Sequence, residues 1–84
     1  MTWGFYYDNS DDTVHYPDAP TGCDEYEIEV YKDITSPNPI LEYSGTSPEL
    51  FQAVPGGLSR GRKKARGKTR PVGAWQPFEE FDVD

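Results

Sequence analysis

Seven of the eight cationic side chains in this chain fall between Arg60 and Arg70, and no carboxylate falls among them. Like charges packed this densely repel one another and resist collapsing onto themselves. The stretch therefore needs an opposing surface, either in the same chain or on a partner. The acids are segregated too. Residues 1–31 carry eight carboxylates and no Lys or Arg, residues 58–72 carry +7, and residues 73–84 carry −4, within a net charge of −7. A fold must either bring these blocks together or hold them apart.

A chain of 84 residues suits one small domain, which buries only a modest fraction of its surface. Its apolar share of 35% is low for a globular domain, whereas aromatic residues reach 14%. Aromatic rings bury large areas apiece, so a thin core built on rings is expected. Cys23 is the single cysteine. It has no partner for an internal disulfide, which fits a reducing compartment. No run approaches the roughly 18 apolar residues of a membrane-spanning helix. The acidic, aromatic start lacks the basic and apolar regions of a secretory signal. The expected location is the cytoplasm or the interior of a virion.

Periodicity points to strands. Trp3, Phe5 and Tyr7 share one face at period two within residues 2–7, as on a strand. Asp8 to Asp12 reads as a turn of backbone-bonding residues, and Thr13 to Tyr16 as the returning strand of a hairpin. The clearest strand runs from Glu25 to Lys32, where Tyr26, Ile28 and Val30 alternate with Glu25, Glu27 and Glu29. Ile40 to Ser44 reads as its antiparallel neighbour. Ser47-Pro48-Glu49 has the cap and first-turn residues of a helix, which Pro55-Gly56-Gly57 would stop after Val54. The residues beyond lack periodicity.

The expected fold is therefore mainly β, of α+β class. It comprises an antiparallel sheet of three to four strands with one short helix in residues 1–55. A glycine-containing basic arm follows over 56–72, disordered or ordered by a partner, and then an aromatic-acidic tail over 73–84.

Three features carry functional expectations. Arg60, Arg62, Lys63, Lys64, Arg66, Lys68 and Arg70 can neutralise phosphates and release counterions, giving affinity without sequence preference. The tract holds no aromatic residue for base stacking, and it can equally fold back on the acidic body. Glu25, Glu27 and Glu29, roughly 6.6 Å apart on a strand, would form a carboxylate row with Asp24 nearby. Such a row imitates a nucleic-acid backbone and fits a basic groove on another protein, or it is simply a solvated sheet face. Trp75, Phe78 and Phe81, with Pro77 opening a helical turn, resemble a linear anchor for a partner's groove. The same rings can instead complete the chain's own core.

Other chemistry finds less support. Asp8-x-Ser10-x-Asp12 opens like a calcium loop, but Thr13 and Ala19 stand where that loop requires Gly and Glu. One His and one Cys fall short of a zinc set, and nothing in their spacing makes a nucleophilic pair. No cofactor, metal or small-molecule substrate is expected, nor a membrane partner. Two functions follow. The first is a non-enzymatic interaction module that blocks or adapts a larger nucleic-acid-handling machine through an acidic aromatic surface, as phage-type inhibitors and nucleic-acid mimics do. The second is a structural component of a nucleoprotein or virion assembly whose basic arm contacts nucleic acid through residues 60–70.

Overall fold

The alternation at residues 25–32 does what it predicts. In a computed structural model that describes residues 2–84, Glu25–Lys32 is a strand, β3, with Tyr26, Ile28 and Val30 buried. Full burial of each such side chain stabilises the fold by about 1.5–3 kcal/mol. Around β3 the chain forms β1 (Tyr6–Asp8), β2 (Thr13–His15), β4 (Ile40–Ser47), β5 (Phe51–Ala53), β6 (Gly61–Arg70) and β7 (Glu79–Val83).

These strands make two antiparallel sheets. One is ordered β1-β2-β5, the other β4-β3-β6-β7. β1 lies against β7 and β4 against β5, so the sheets meet along both margins. Between them sit Trp3, Phe5, Val14, Tyr16, Ile28 and Phe81 with the rest of the core. The rings interlock: Trp3 stacks on Tyr16 at 5.8 Å and meets Tyr26 edge-on at 5.9 Å.

The mainly β class holds, but no described residue is helical. The helix expected after Ser47 is replaced by a turn and β5. The Ser47 hydroxyl does accept a hydrogen bond from the Glu49 N–H at 3.0 Å, as a cap would, but the chain does not continue helically. Tyr16 takes its carbonyls instead, its hydroxyl donating to Glu49 and its N–H to Leu50. Gln52 is then drawn between the sheets. Its amide nitrogen donates to the Tyr26 and Gly45 carbonyls and the Tyr16 hydroxyl, and its oxygen accepts from the Tyr43 hydroxyl at 2.7 Å. A helix would break this hub, and tertiary bonding overrides the local cap signal.

The second correction concerns the expected arm. Gly61–Arg70 is no free segment but a ten-residue strand lying between β3 and β7. The tail also differs from expectation. Glu79–Val83 is a strand, so a spacing of three puts Phe78 and Phe81 on opposite faces rather than one. Two strand boundaries shift as well. Trp3 and Phe5 pack in the core ahead of β1, and β4 extends beyond Ser44 to Ser47.

Candidate functional site: the charged sheet face and the aromatic row opposite

β6 places its cations by period two. Arg62, Lys64, Arg66, Lys68 and Arg70 project from the outer face of the larger sheet, whereas Lys63, Ala65 and Gly67 face the core. The register sets Glu25 opposite Arg70, Glu27 opposite Lys68 and Glu29 opposite Arg66. The carboxylate row and the basic tract therefore face each other across one strand boundary. Arg66 Nε donates to Glu29 at 2.8 Å, Arg70 reaches Glu27 at 3.1 Å, and Lys68 lies 3.8 Å from Glu27. On the other flank Arg62 bridges Glu80 at 3.1 Å and Asp82 at 2.8 Å. Those two carboxylates hold the Arg62 guanidinium above its ordinary pKa.

The aromatic tail residues complete this face. Arg66 lies 4.7 Å from the Trp75 ring centre and 4.8 Å from that of Phe78. Lys64 sits over Phe78 at 4.4 Å and Lys68 over Trp75 at 4.8 Å. Tyr31 meets Phe78 edge-on at 5.5 Å. Cations over ring faces are attracted by the ring quadrupole. Trp75 and Phe78 thus cap the chain's own basic strand, while Phe81 lies in the core. Asp24 is exposed just ahead of β3, and Arg60 is exposed just ahead of β6.

Lys63 is the exception within the tract. Its side chain is 2% exposed and its ammonium lies 2.8 Å from Glu42, itself 14% exposed. The ammonium donates to the Ser59 hydroxyl at 2.6 Å, and the Ser59 N–H donates to the other Glu42 oxygen at 2.7 Å. The carboxylate oxygen nearest Lys63 has no directed hydrogen bond, so the pair is an ionic contact rather than an aligned bond. Burial pushes the Glu42 carboxyl up, but Lys63 and Ser59 outweigh it and hold it below 4.5. The register irregularity in the β3–β4 pairing beside Tyr31 lets Glu42 reach inward next to Tyr43.

The smaller sheet presents a different surface, which the sequence did not disclose. Tyr6, His15 and Phe51 are register partners across β1, β2 and β5. Their rings form a row: Tyr6 and His15 are parallel within 2° at 4.7 Å, and His15 and Phe51 lie 5.7 Å apart. Tyr6 is 52% exposed and Phe51 44%. Beside the middle ring of the row, ligand-type atoms of Asp8, Asp11 and His15 all lie within 4.8 Å of one another. The Thr13 hydroxyl donates to Asp11 at 2.6 Å and lies 2.8 Å from His15 Nε2. Asp8 accepts from the Ser10 hydroxyl and N–H, which hold its carboxyl below the usual range. The signal available in the sequence was only the polar turn; the pairing of Phe51 with His15 depends on β5.

The charge account is then local. Five cations of β6 share the outer face with Glu25, Glu27, Glu29, Glu80 and Asp82, and Lys63 is matched by Glu42. Of the 15 acids, nine remain against Lys32 and Arg60, which returns the net −7. Three of the nine, Asp8 at the end of β1 and Asp11 and Asp12 in the following turn, cluster around the β1–β2 connection. Comparison with protein-family models, curated proteins and solved structures finds no match for the chain.

Proposed function

We propose that this protein is a non-enzymatic interaction module that docks through an acidic surface on a basic surface of a larger protein. The observation carrying this reading is the internal pairing of the basic tract. With the β6 cations facing carboxylates and aromatic rings of their own sheet, the net −7 is what the molecule offers to its surroundings. Complementary charge of this kind raises encounter rates and favours basic partners. Basic grooves are the surfaces with which proteins hold nucleic-acid backbones, so blocking or adapting a nucleic-acid-handling machine is the role such a surface suits.

The acidic surface in this proposal is not the Glu25, Glu27 and Glu29 row, whose charge is matched by Arg66, Lys68 and Arg70. It is the cation-free region around the β1–β2 turn. The same pairing weighs against a nucleoprotein component that grips nucleic acid with residues 60–70, because phosphates would have to displace Glu29 and Glu27. The test is fluorescence anisotropy at low and physiological salt. The probes are labelled single-stranded DNA, duplex DNA, RNA and an oligolysine peptide. Peptide binding that weakens with salt, with no binding of any nucleic acid, is the expected outcome. Nucleic-acid binding at low salt with no peptide binding overturns the proposal.

A further inference from the structure

The larger sheet shows how this chain holds a guanidinium. Arg66 lies against the rings of Trp75 and Phe78 and is anchored by Glu29 at 2.8 Å. The outer face of the smaller sheet carries the same two ingredients, rings beside carboxylates, but no cation. Tyr6, His15 and Phe51 supply the rings, and Asp8 and Asp11 the carboxylates beside the central ring, His15. Neither residues 2–31 nor residues 33–59 contain a Lys or Arg, so β1, β2, β5 and the β1–β2 turn carry neither.

We propose that the Tyr6–His15–Phe51 row with Asp8 and Asp11 docks an extended, arginine-bearing segment of a partner protein. The inference rests on the acidic-surface reading above and deepens it by naming the contact chemistry. A guanidinium is planar and weakly hydrated, so it stacks on ring faces while its N–H groups meet a carboxylate; a lysine ammonium is a compact, strongly hydrated charge that does this less well. The geometry suits an extended segment. The row crosses three strands and so spans roughly two inter-strand spacings of about 4.8 Å. Alternate residues of an extended chain stand roughly 6.6 Å apart, so two arginines at alternate positions fit along it. One guanidinium covers His15 and reaches Asp8 and Asp11 beside it, and the other covers Tyr6 or Phe51. Scattered exposed hydrophobics need no explanation. Three register-matched rings beside carboxylates that have no Lys or Arg partner form a patch with both an apolar and an electrostatic demand, and arginine meets both.

The test uses two labelled peptides of equal length and charge, one with arginines and one with lysines at alternate positions. Both are titrated into the full-length protein by anisotropy and by amide chemical-shift mapping. The arginine peptide binds tighter, by about two- to fivefold per stacked ring, and the shifts concentrate in β1, β2 and β5. Tyr6→Thr and Phe51→Thr, at exposed positions and with a strand-compatible replacement, remove the arginine preference. Ile40→Thr, exposed on the other sheet, leaves it unchanged. Equal affinity for the two peptides, or shifts centred on β6, overturns this inference while the acidic-surface reading stands. Failure of both peptides to bind overturns both. The preference and the shift map are read on the unmodified protein, so misfolding of a variant does not rescue the proposal.

Discussion

Replacing Lys63 by Met should cost more stability than replacing any other cation of the basic tract. A surface cation paired to a carboxylate contributes about 0–1 kcal/mol, and the outer-face cations Arg66, Lys68 and Arg70 belong in that range. Lys63 does not, because its side chain is 2% exposed and its partner Glu42 14%. Lys63→Met leaves the Glu42 carboxylate with only the Ser59 N–H for compensation. Removing one partner of a buried ion pair costs about 3–5 kcal/mol, and the residual exposure of Glu42 places this pair at the lower end, about 3 kcal/mol. A chain of this length has a total stability of about 4–13 kcal/mol, so the loss is severe. At about 4–8 °C per kcal/mol for a domain of this size, Tm falls by at least about 12 °C. Lys63→Met with Glu42→Leu should recover to within about 1 kcal/mol of the parent, because replacing both partners by apolar groups is close to neutral. Urea denaturation followed by tryptophan fluorescence reads all three proteins. The pH dependence supplies an independent sign. The folded Glu42 pKa lies below the ordinary 4.5. Its stabilisation is therefore complete above about 4.5 and is lost as pH falls through the lower folded value. Lys63→Met should abolish that acid-side loss. A Lys63→Met cost under about 1 kcal/mol, or a double variant weaker than the single one, would refute the assignment of Lys63 as a buried structural cation.

Other consequences are open to measurement. A methyl group at Gly67 would lie closer than 3.0 Å to three ring carbons of Trp3, so Gly67→Ala should cost about 1–3 kcal/mol by overpacking, and Trp3→Leu in the same chain should recover part of it. Gln52→Leu leaves the Tyr26 carbonyl, the Gly45 carbonyl and the Tyr43 hydroxyl without their partner; at about 1–3 kcal/mol for each buried group stranded, unfolding midpoints should drop well below those of Arg66→Ala. Burial pushes the Tyr16 hydroxyl up to about 12. Ultraviolet titration should accordingly show a late-ionising tyrosine, with stability falling as pH rises from about 10 toward 12.

The strand from Glu25 to Lys32 was legible because each core position is a large apolar residue and each outer position is polar, which is the pattern a half-buried strand requires. β6 was not legible by that rule. Its core-facing positions are Lys63, Ala65 and Gly67, two of them small because the Trp3 ring fills the space above Gly67. The apolar surface belongs to a residue more than sixty positions away. A local reading therefore finds only repeated charge. The usable signal was complementary: Glu25, Glu27 and Glu29 repeat at period two, and so do Arg66, Lys68 and Arg70. The helix at Ser47 fails for a related reason, since Gln52 serves Tyr16, just after β2, and the Tyr26 carbonyl on β3, which no local window contains, besides Tyr43 and Gly45 on β4. The Tyr6–His15–Phe51 row requires β5, so misreading that segment as helix concealed the surface as well.

The charge ladder also answers why a strand with so little apolar alternation takes a defined place. Each outer pair contributes little to stability, but a one-residue slip of a strand exchanges its two faces. In β6 such a slip would direct Arg66 and Lys68 into the core beside Ile28 and strand Glu27 and Glu29 opposite small residues. Burying an unpaired charge costs far more than an exposed pair returns. The ladder therefore acts mainly by excluding wrong registers, with the Lys63–Glu42 pair marking the one inward position where a cation is accepted. This role accounts for a dense basic tract without calling on nucleic acid. It also explains why the acidic excess lies elsewhere: the carboxylates that set the register are matched, and those without a Lys or Arg partner include Asp8, Asp11 and Asp12 around the β1–β2 turn.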